Sequence, residues 1–206
     1  MTLRTFPLTD FPAETLKWRP TFASITGGRP ISGPAQRGEV SGGGWWQAAA
    51  TGIDLGDDAR IRQWLSLMLA AADGVEAFIV PMLQWPVTPG GTVTATVAAE
   101  PLRETTLAIT TTTAIGPGHC FSIDHATVGP RIYMIKEVDS VVGDLRTCHV
   151  GPPLRQATTA GMSLDFNTPR CVMRVVDPSD ESWPAVTAGW ASRPSIAFEE
   201  TFETLS

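Results

Sequence analysis

From Thr92 to Val175 the chain alternates apolar side chains with hydroxyl-bearing or charged ones, and this period of two is its strongest constraint on fold. Successive side chains on an extended strand point to opposite faces. The pattern therefore builds sheets with one dry and one wet side, whereas a helix of the same residues would scatter its apolar groups around the axis. Thr92-Val-Thr-Ala-Thr-Val and Thr105-Thr-Leu-Ala-Ile-Thr-Thr-Thr-Thr show the alternation most plainly. His119-Cys-Phe-Ser-Ile-Asp, Pro130-Arg-Ile-Tyr-Met-Ile-Lys-Glu-Val, Leu145-Arg-Thr-Cys-His-Val and Arg170-Cys-Val-Met-Arg-Val-Val continue it between Gly-, Pro- and Asp-bearing turns. Short strands at this spacing predict a small antiparallel barrel or sandwich.

The N-terminal part is organised differently. Gly27-Gly-Arg-Pro-Ile-Ser-Gly-Pro reads as turns or a long hairpin, and Gly42-Gly-Gly leads into a strand that begins near Trp45. One helix is expected at about 57–73. Asp57 or Asp58 caps its start, and Asp73-Gly74 supplies its stop. Ile61, Trp64, Leu65, Met68 and Ala72 recur at three- and four-residue spacings, so they are expected on its buried face against a sheet. A strand around Ala77-Phe-Ile-Val follows, and Ser192 to Phe202 reads as a last strand, with Ile196, Phe198 and Phe202 alternating with acidic neighbours, that returns to the first unit.

Composition narrows the function more by exclusion than by assignment. With 43% hydrophobic and 17% charged residues, a chain of 206 residues has the apolar content to bury a core and form about two compact units. A formal charge of −6 argues against a surface built to neutralise nucleic-acid phosphates. The N-terminus lacks the apolar core of a signal peptide, and no apolar run reaches the length of a membrane span, so no membrane insertion is expected. Cys120, Cys148 and Cys171 are an odd number in strand-like segments and read as free core thiols.

No catalytic or cofactor-binding constellation emerges, and neither an enzyme nor a cofactor is expected. His119 and Cys120, like Cys148 and His149, are adjacent on strands and point to opposite faces, which opposes a shared metal. There is no Gly-x-Ser-x-Gly elbow, and Gly42-Gly43-Gly44 runs into Trp45-Trp46 rather than into a Lys and a helix, so a phosphate loop is not indicated. The adjacent acids Asp57 and Asp58 read as a helix cap, and Glu199 and Glu200 as a strand edge. Of the seven tryptophans, Trp64 falls on the buried helix face, while Trp85, Trp183 and Trp190 look exposed and motivate an alternative reading as a carbohydrate-binding β module on a virion or cell surface.

Taken in order, these segments resemble the distal tail proteins of long-tailed bacteriophages and gene transfer agents. The likeness rests on the Trp45-Trp46 strand, the helix carrying Arg60-Ile-Arg-Gln-Trp-Leu, and the Ala77-Phe-Ile-Val strand. It continues through Gly118-His-Cys-Phe-Ser-Ile, Arg131-Ile-Tyr-Met-Ile and His149-Val-Gly-Pro-Pro-Leu-Arg. The resemblance implies a mainly β chain: a β-sandwich or split barrel with one packed α-helix, plus a second small antiparallel β-barrel. It places the ring-forming domain at 1–97 with 180–206 and the peripheral barrel at 98–179. It implies a homo-oligomeric, hexameric ring that joins the tail tube protein to the tail hub or baseplate protein, made in the host cytoplasm and carried in the virion. Arg29 to Gly44 would be the hairpin through which ring neighbours clasp, ordering only in the ring. Arg29, Pro30, Ile31, Gly42, Gly43, Gly44, Trp45 and Trp46 are the expected inter-subunit contacts.

Overall fold

A computed structural model of the chain describes residues 3–21, 24–26, 37–39, 43–72, 76–82, 89–176, 180–187 and 190–203. In chain order the strands before the helix are β1 (Leu3–Thr5), β2 (Ala13–Thr21), β3 (Ser24–Thr26), β4 (Arg37–Glu39) and β5 (Trp45–Ile53). Helix α1 (Asp58–Ala72) is followed by β6 (Ala77–Pro81), β7 (Ala95–Val97), β8 (Thr106–Thr111), β9 (Cys120–His125), β10 (Gly129–Val142), β11 (Leu145–Gly151) and β12 (Met162–Asp165). The chain ends through β13 (Arg170–Val175), a short 3₁₀ turn at Asp180–Ser182, β14 (Val186–Thr187), β15 (Trp190–Ala191) and β16 (Ile196–Glu200). The protein is mainly β, with one α-helix among the described residues, a mixed sheet and a closed antiparallel barrel.

The sheet has the order β1-β6-β13-β16-β5-β2, antiparallel except for the β1–β6 pair. Its inner face follows the period of two: Trp46, Ala48 and Ala50 on β5, Phe78 and Val80 on β6, Cys171 and Met173 on β13, and Ile196 and Phe198 on β16. Gly52 adopts a φ of 66°, a left-handed geometry that shifts the alternation so that Ile53 takes the next core position. A Cβ there would also lie 2.7 Å from the Glu14 carboxylate.

Helix α1 covers this face. The Asp57 carboxylate accepts hydrogen bonds of 2.9 Å from both Ala59 N–H and Arg60 N–H, which satisfies two donors of the first turn and holds its pKa below the usual carboxylate value. The buried stripe is Trp64, Leu67, Met68 and Ala71, with Ile61 partly buried beside it. This corrects the expected face: Leu65 is only half-buried and Ala72 is exposed. The stripe is set by the Trp64 indole, which donates to Ser182 O at 2.8 Å and meets Phe6 and Phe11 edge-on at centroid distances of 6.1 and 5.3 Å. Once Trp64 is fixed, the positions that follow it at i+3, i+4 and i+7 face the sheet.

The barrel closes in the order β10-β11-β8-β7-β12-β9. Its interior holds Leu107, Ile109, Phe121, Ile123, Tyr133, Ile135, Val150 and Phe166. Two boundaries differ from expectation. β7, placed with the sheet, pairs with β8 and β12 and completes the barrel. β13, placed with the barrel, pairs with β6 and β16, and its Cys171 and Met173 join the helix-side core. The barrel therefore runs from β7 to β12, a strand that the alternation did not signal, and the sheet takes back the chain from β13 onward.

β10 is the element that binds the two halves. It is buried without a break from Gly129 to Tyr133, because Ile132 packs into the sheet core while Tyr133 fills the barrel. Its far end emerges as a hairpin with β11 around the two-residue turn Gly143-Asp144, in which Gly143 has φ 60° and Val142 pairs with Leu145.

Candidate functional site

Two kinds of place concentrate chemistry in this chain: a buried ionic junction between sheet and barrel, and the surfaces the two halves leave open. The junction begins at β5. Trp45 and Trp46 are neighbours on one strand and so point to opposite faces. Trp46 is fully buried; its indole donates to Ile132 O on β10 at 2.8 Å, and its backbone N–H donates to Glu200 Oε2 at 3.1 Å.

Glu200 shares the inner face of β16 with Ile196 and Phe198, four and two residues away, and is buried like them. Two guanidiniums balance it. Arg155 Nε lies 3.2 Å from Glu200 Oε1 and Arg131 Nη1 lies 3.6 Å from it. Arg155 also donates to Gly44 O, and Arg131 Nη1 donates to Thr201 O and, at 3.2 Å, to Val172 O. One carboxylate thus ties the start of β5, the last strand of the sheet and two barrel-side arginines together. The Arg155 guanidinium further stacks 4.8 Å from the Phe202 ring centroid.

A second chain of contacts leads from this junction into the barrel. Arg155 N–H donates to Tyr133 Oη at 3.0 Å, and Tyr133 Oη lies 2.8 Å from His125 Nε2. Burial and, secondarily, the nearby Arg131 charge push the His125 pKa down to about 4, so its ring is neutral at pH 7. Burial raises the Tyr133 hydroxyl pKa as well. The three thiols are free and buried, pushed up to about 12 for Cys120, about 11 for Cys148 and about 12 for Cys171, so they are protonated at neutral pH and are poor nucleophiles. Among the described residues no three His, Cys, Asp or Glu side chains gather as metal ligands, and no helix is long and apolar enough to cross a membrane.

Three open surfaces among the described residues combine depth or apolar character with exposure. Beside Trp45, Arg174, Glu199, Thr201, Phe202 and Glu203 line a cleft of about 540 Å³, in which Arg174 pairs with Glu203. On the outer face of the sheet, Gln47, Ala49, Val176 and Ala197 line a trough of about 320 Å³ with Lys17 and Arg19 along one side. The third is the tip of the β10–β11 hairpin, where Val141, Val142 and Leu145 are 59%, 72% and 43% exposed.

The expected contact residues divide. Arg29, Pro30, Ile31 and Gly42 lie outside the described residues, although β3 and β4 do pair as antiparallel arms around that segment. Gly43 and Trp45 are half-buried at the surface, while Gly44 is buried and its carbonyl is occupied by Arg155. The Trp46 side chain is withdrawn from the set: its indole is spent inside the chain and has no surface to offer a neighbour. Of the tryptophans read as exposed, Trp183 is 39% exposed, Trp85 lies outside the described residues, and no side-chain environment is described for Trp190. Phe202, expected to alternate inward, is exposed, because the strand ends at Glu200.

The sequence does not single out Arg131 or Arg155, and it reads Glu200 with Glu199 as a strand edge, which the structure corrects: Glu200 is buried on the inner face of β16. Two signals existed. Arg131 interrupts an otherwise apolar run, and Glu200 falls on the same parity as Ile196 and Phe198. Comparison of the chain with protein-family models gives no match, and comparison with curated proteins gives none.

Proposed function

We propose that this chain is a structural ring subunit of the distal-tail kind, joining the tail tube of a long-tailed phage or gene transfer agent to its tip hub. The observation that carries this reading is the open six-stranded sheet. Among the described residues, β2 is nine residues long and pairs with β5 on one side only; β1, at the other border, is three residues long and parallel to β6. An uncovered strand of that length is a template for another chain. The two borders of one sheet differ, so copies that pair through them associate head to tail and close into a ring when the rotation permits.

The action is then geometric. The sheet with its helix forms the ring wall, and the barrel, held by the Glu200 junction, is displayed at its side. The partners are further copies of the chain, the tube subunit and the hub, in a virion. The negative balance of the chain suits a passage along which DNA slides rather than sticks. Gold-labelled antibody against the purified protein tests the placement: label at the junction of tube and tip is the expected result, and label along the tube or at the head end refutes it.

The cleft beside Trp45 favours a second reading. An indole with carboxylates and a guanidinium at its rim is a chemistry that stacks on and hydrogen-bonds a sugar. Calorimetric titration with host-surface oligosaccharides distinguishes the two; heat that disappears in Trp45→Ala supports the sugar site, and no heat with any of them removes it.

A further inference from the structure

The hairpin tip and the sheet trough are each incomplete within one chain, and they are complementary in two respects. The first is polarity. Val141, Val142 and Leu145 project from a two-residue turn with no described side chain covering them. The trough is floored by Ala49 and Ala197, whose small side chains leave the depression, and bordered by Val176 and by Gln47. Val142 and Leu145, side by side on one face of the hairpin, and the apolar floor of the trough each lose hydrophobic stabilisation that mutual burial would recover.

The second is charge. The trough is flanked by Lys17 and Arg19, and Arg19 spends a 2.9 Å hydrogen bond on the neutral Gln47 rather than on a carboxylate. The tip segment 136–146 carries three acids, Glu137, Asp139 and Asp144, against two bases, Lys136 and Arg146. Arg146 donates to the backbone carbonyls of Thr111 and Asp144, which leaves the Asp144 carboxylate available at the turn.

The backbone adds a reason for the tip to seek a partner. β9 accompanies β10 only as far as Met134, so the stretch from Glu137 to Val142 pairs with β11 alone among the described residues. Charged residues guard the first part of that border, but Ser140, Val141 and Val142 are uncharged.

We propose that Val142 and Leu145 of one copy, paired on one face of the hairpin, seat in the Lys17–Ala197 trough of the next copy, with Asp144 facing Lys17. Tip and trough are different surfaces of the same chain, so the contact is head to tail and propagates around a ring. It rests on the ring reading and specifies one of its contacts.

The test uses the full chain, whose three native cysteines are buried. Val142→Cys and Ala49→Cys are made on separate copies, mixed and mildly oxidised. The expected result is a disulfide-linked pair in the mixture and in neither variant alone. In sedimentation velocity, Val142→Asp weakens association by about tenfold or more, as for a buried apolar anchor. Lys17→Glu weakens it too, and Asp144→Lys restores it in the Lys17→Glu background. An intact ring with no 142–49 crosslink and no response to Val142→Asp overturns this contact and leaves the ring reading standing. Crosslinking of Val142→Cys to itself shows a tip-to-tip contact and also overturns it. A wild-type chain that stays monomeric sinks both.

Discussion

At the scale of single residues, the stability of the chain turns on Glu200. Removing one partner from a buried ion pair strands the other charge, at a cost of about 3–5 kcal/mol. Glu200→Gln leaves Arg131 and Arg155 facing each other without a carboxylate, so urea unfolding should show a loss of that size; a loss below about 1 kcal/mol would mean the junction is ornamental. His125 governs the pH response. Unfolded, its imidazole takes a proton below about 6.5; folded, only below about 4. Between those values unfolding takes up a proton, so stability falls as pH drops, by up to about 1.4 kcal/mol per pH unit. Burial lowers the His119 pKa in the same sense, whereas the depressed carboxyls of Asp57 and Glu104 act at lower pH. Urea midpoints at pH 7, 5.5 and 4.5 should converge less steeply in His125→Asn than in the wild type; equal slopes would remove His125 as the cause. Residues of this kind are hard to read in a sequence. Glu199 and Glu200 are chemically identical neighbours, and only their parity with Ile196 and Phe198 decides which one is buried.

At the scale of elements, period reads well and phase reads poorly. The helix was legible from Asp57 and its apolar spacing, but two stripes fit that spacing, and Phe6, Phe11 and Ser182, distant in sequence, chose between them by fixing Trp64. The difference is measurable. Leu67→Ala should cost about 2–5 kcal/mol as a core truncation, whereas Leu65→Ala should cost less than about 1 kcal/mol. Reversal of that order would restore the stripe through Leu65. β10 was foreseen as a shorter strand, because Lys136 to Val142 carries too much charge and too little alternation to extend the pattern. Its length comes from β11, which pairs along it through to the turn despite bulges at two places.

At the scale of the whole molecule, the alternation between Thr92 and Val175 was enough to give a mainly β chain with a small barrel, but not the assignment of strands to halves. β7 and β13 have the same local character as their neighbours; their partners are set by barrel closure and by the large helix-side core, which are properties of the complete fold. The same holds for the proposed assembly. An open sheet with a nine-residue border strand, an apolar hairpin tip and an apolar trough are the surfaces from which it is proposed. The most direct measurement is electron microscopy, with native mass spectrometry, of the purified chain. The account predicts closed rings of one discrete copy number, hexameric on the proposed reading; a monodisperse monomer at micromolar concentration, or open filaments of indefinite length, would contradict it.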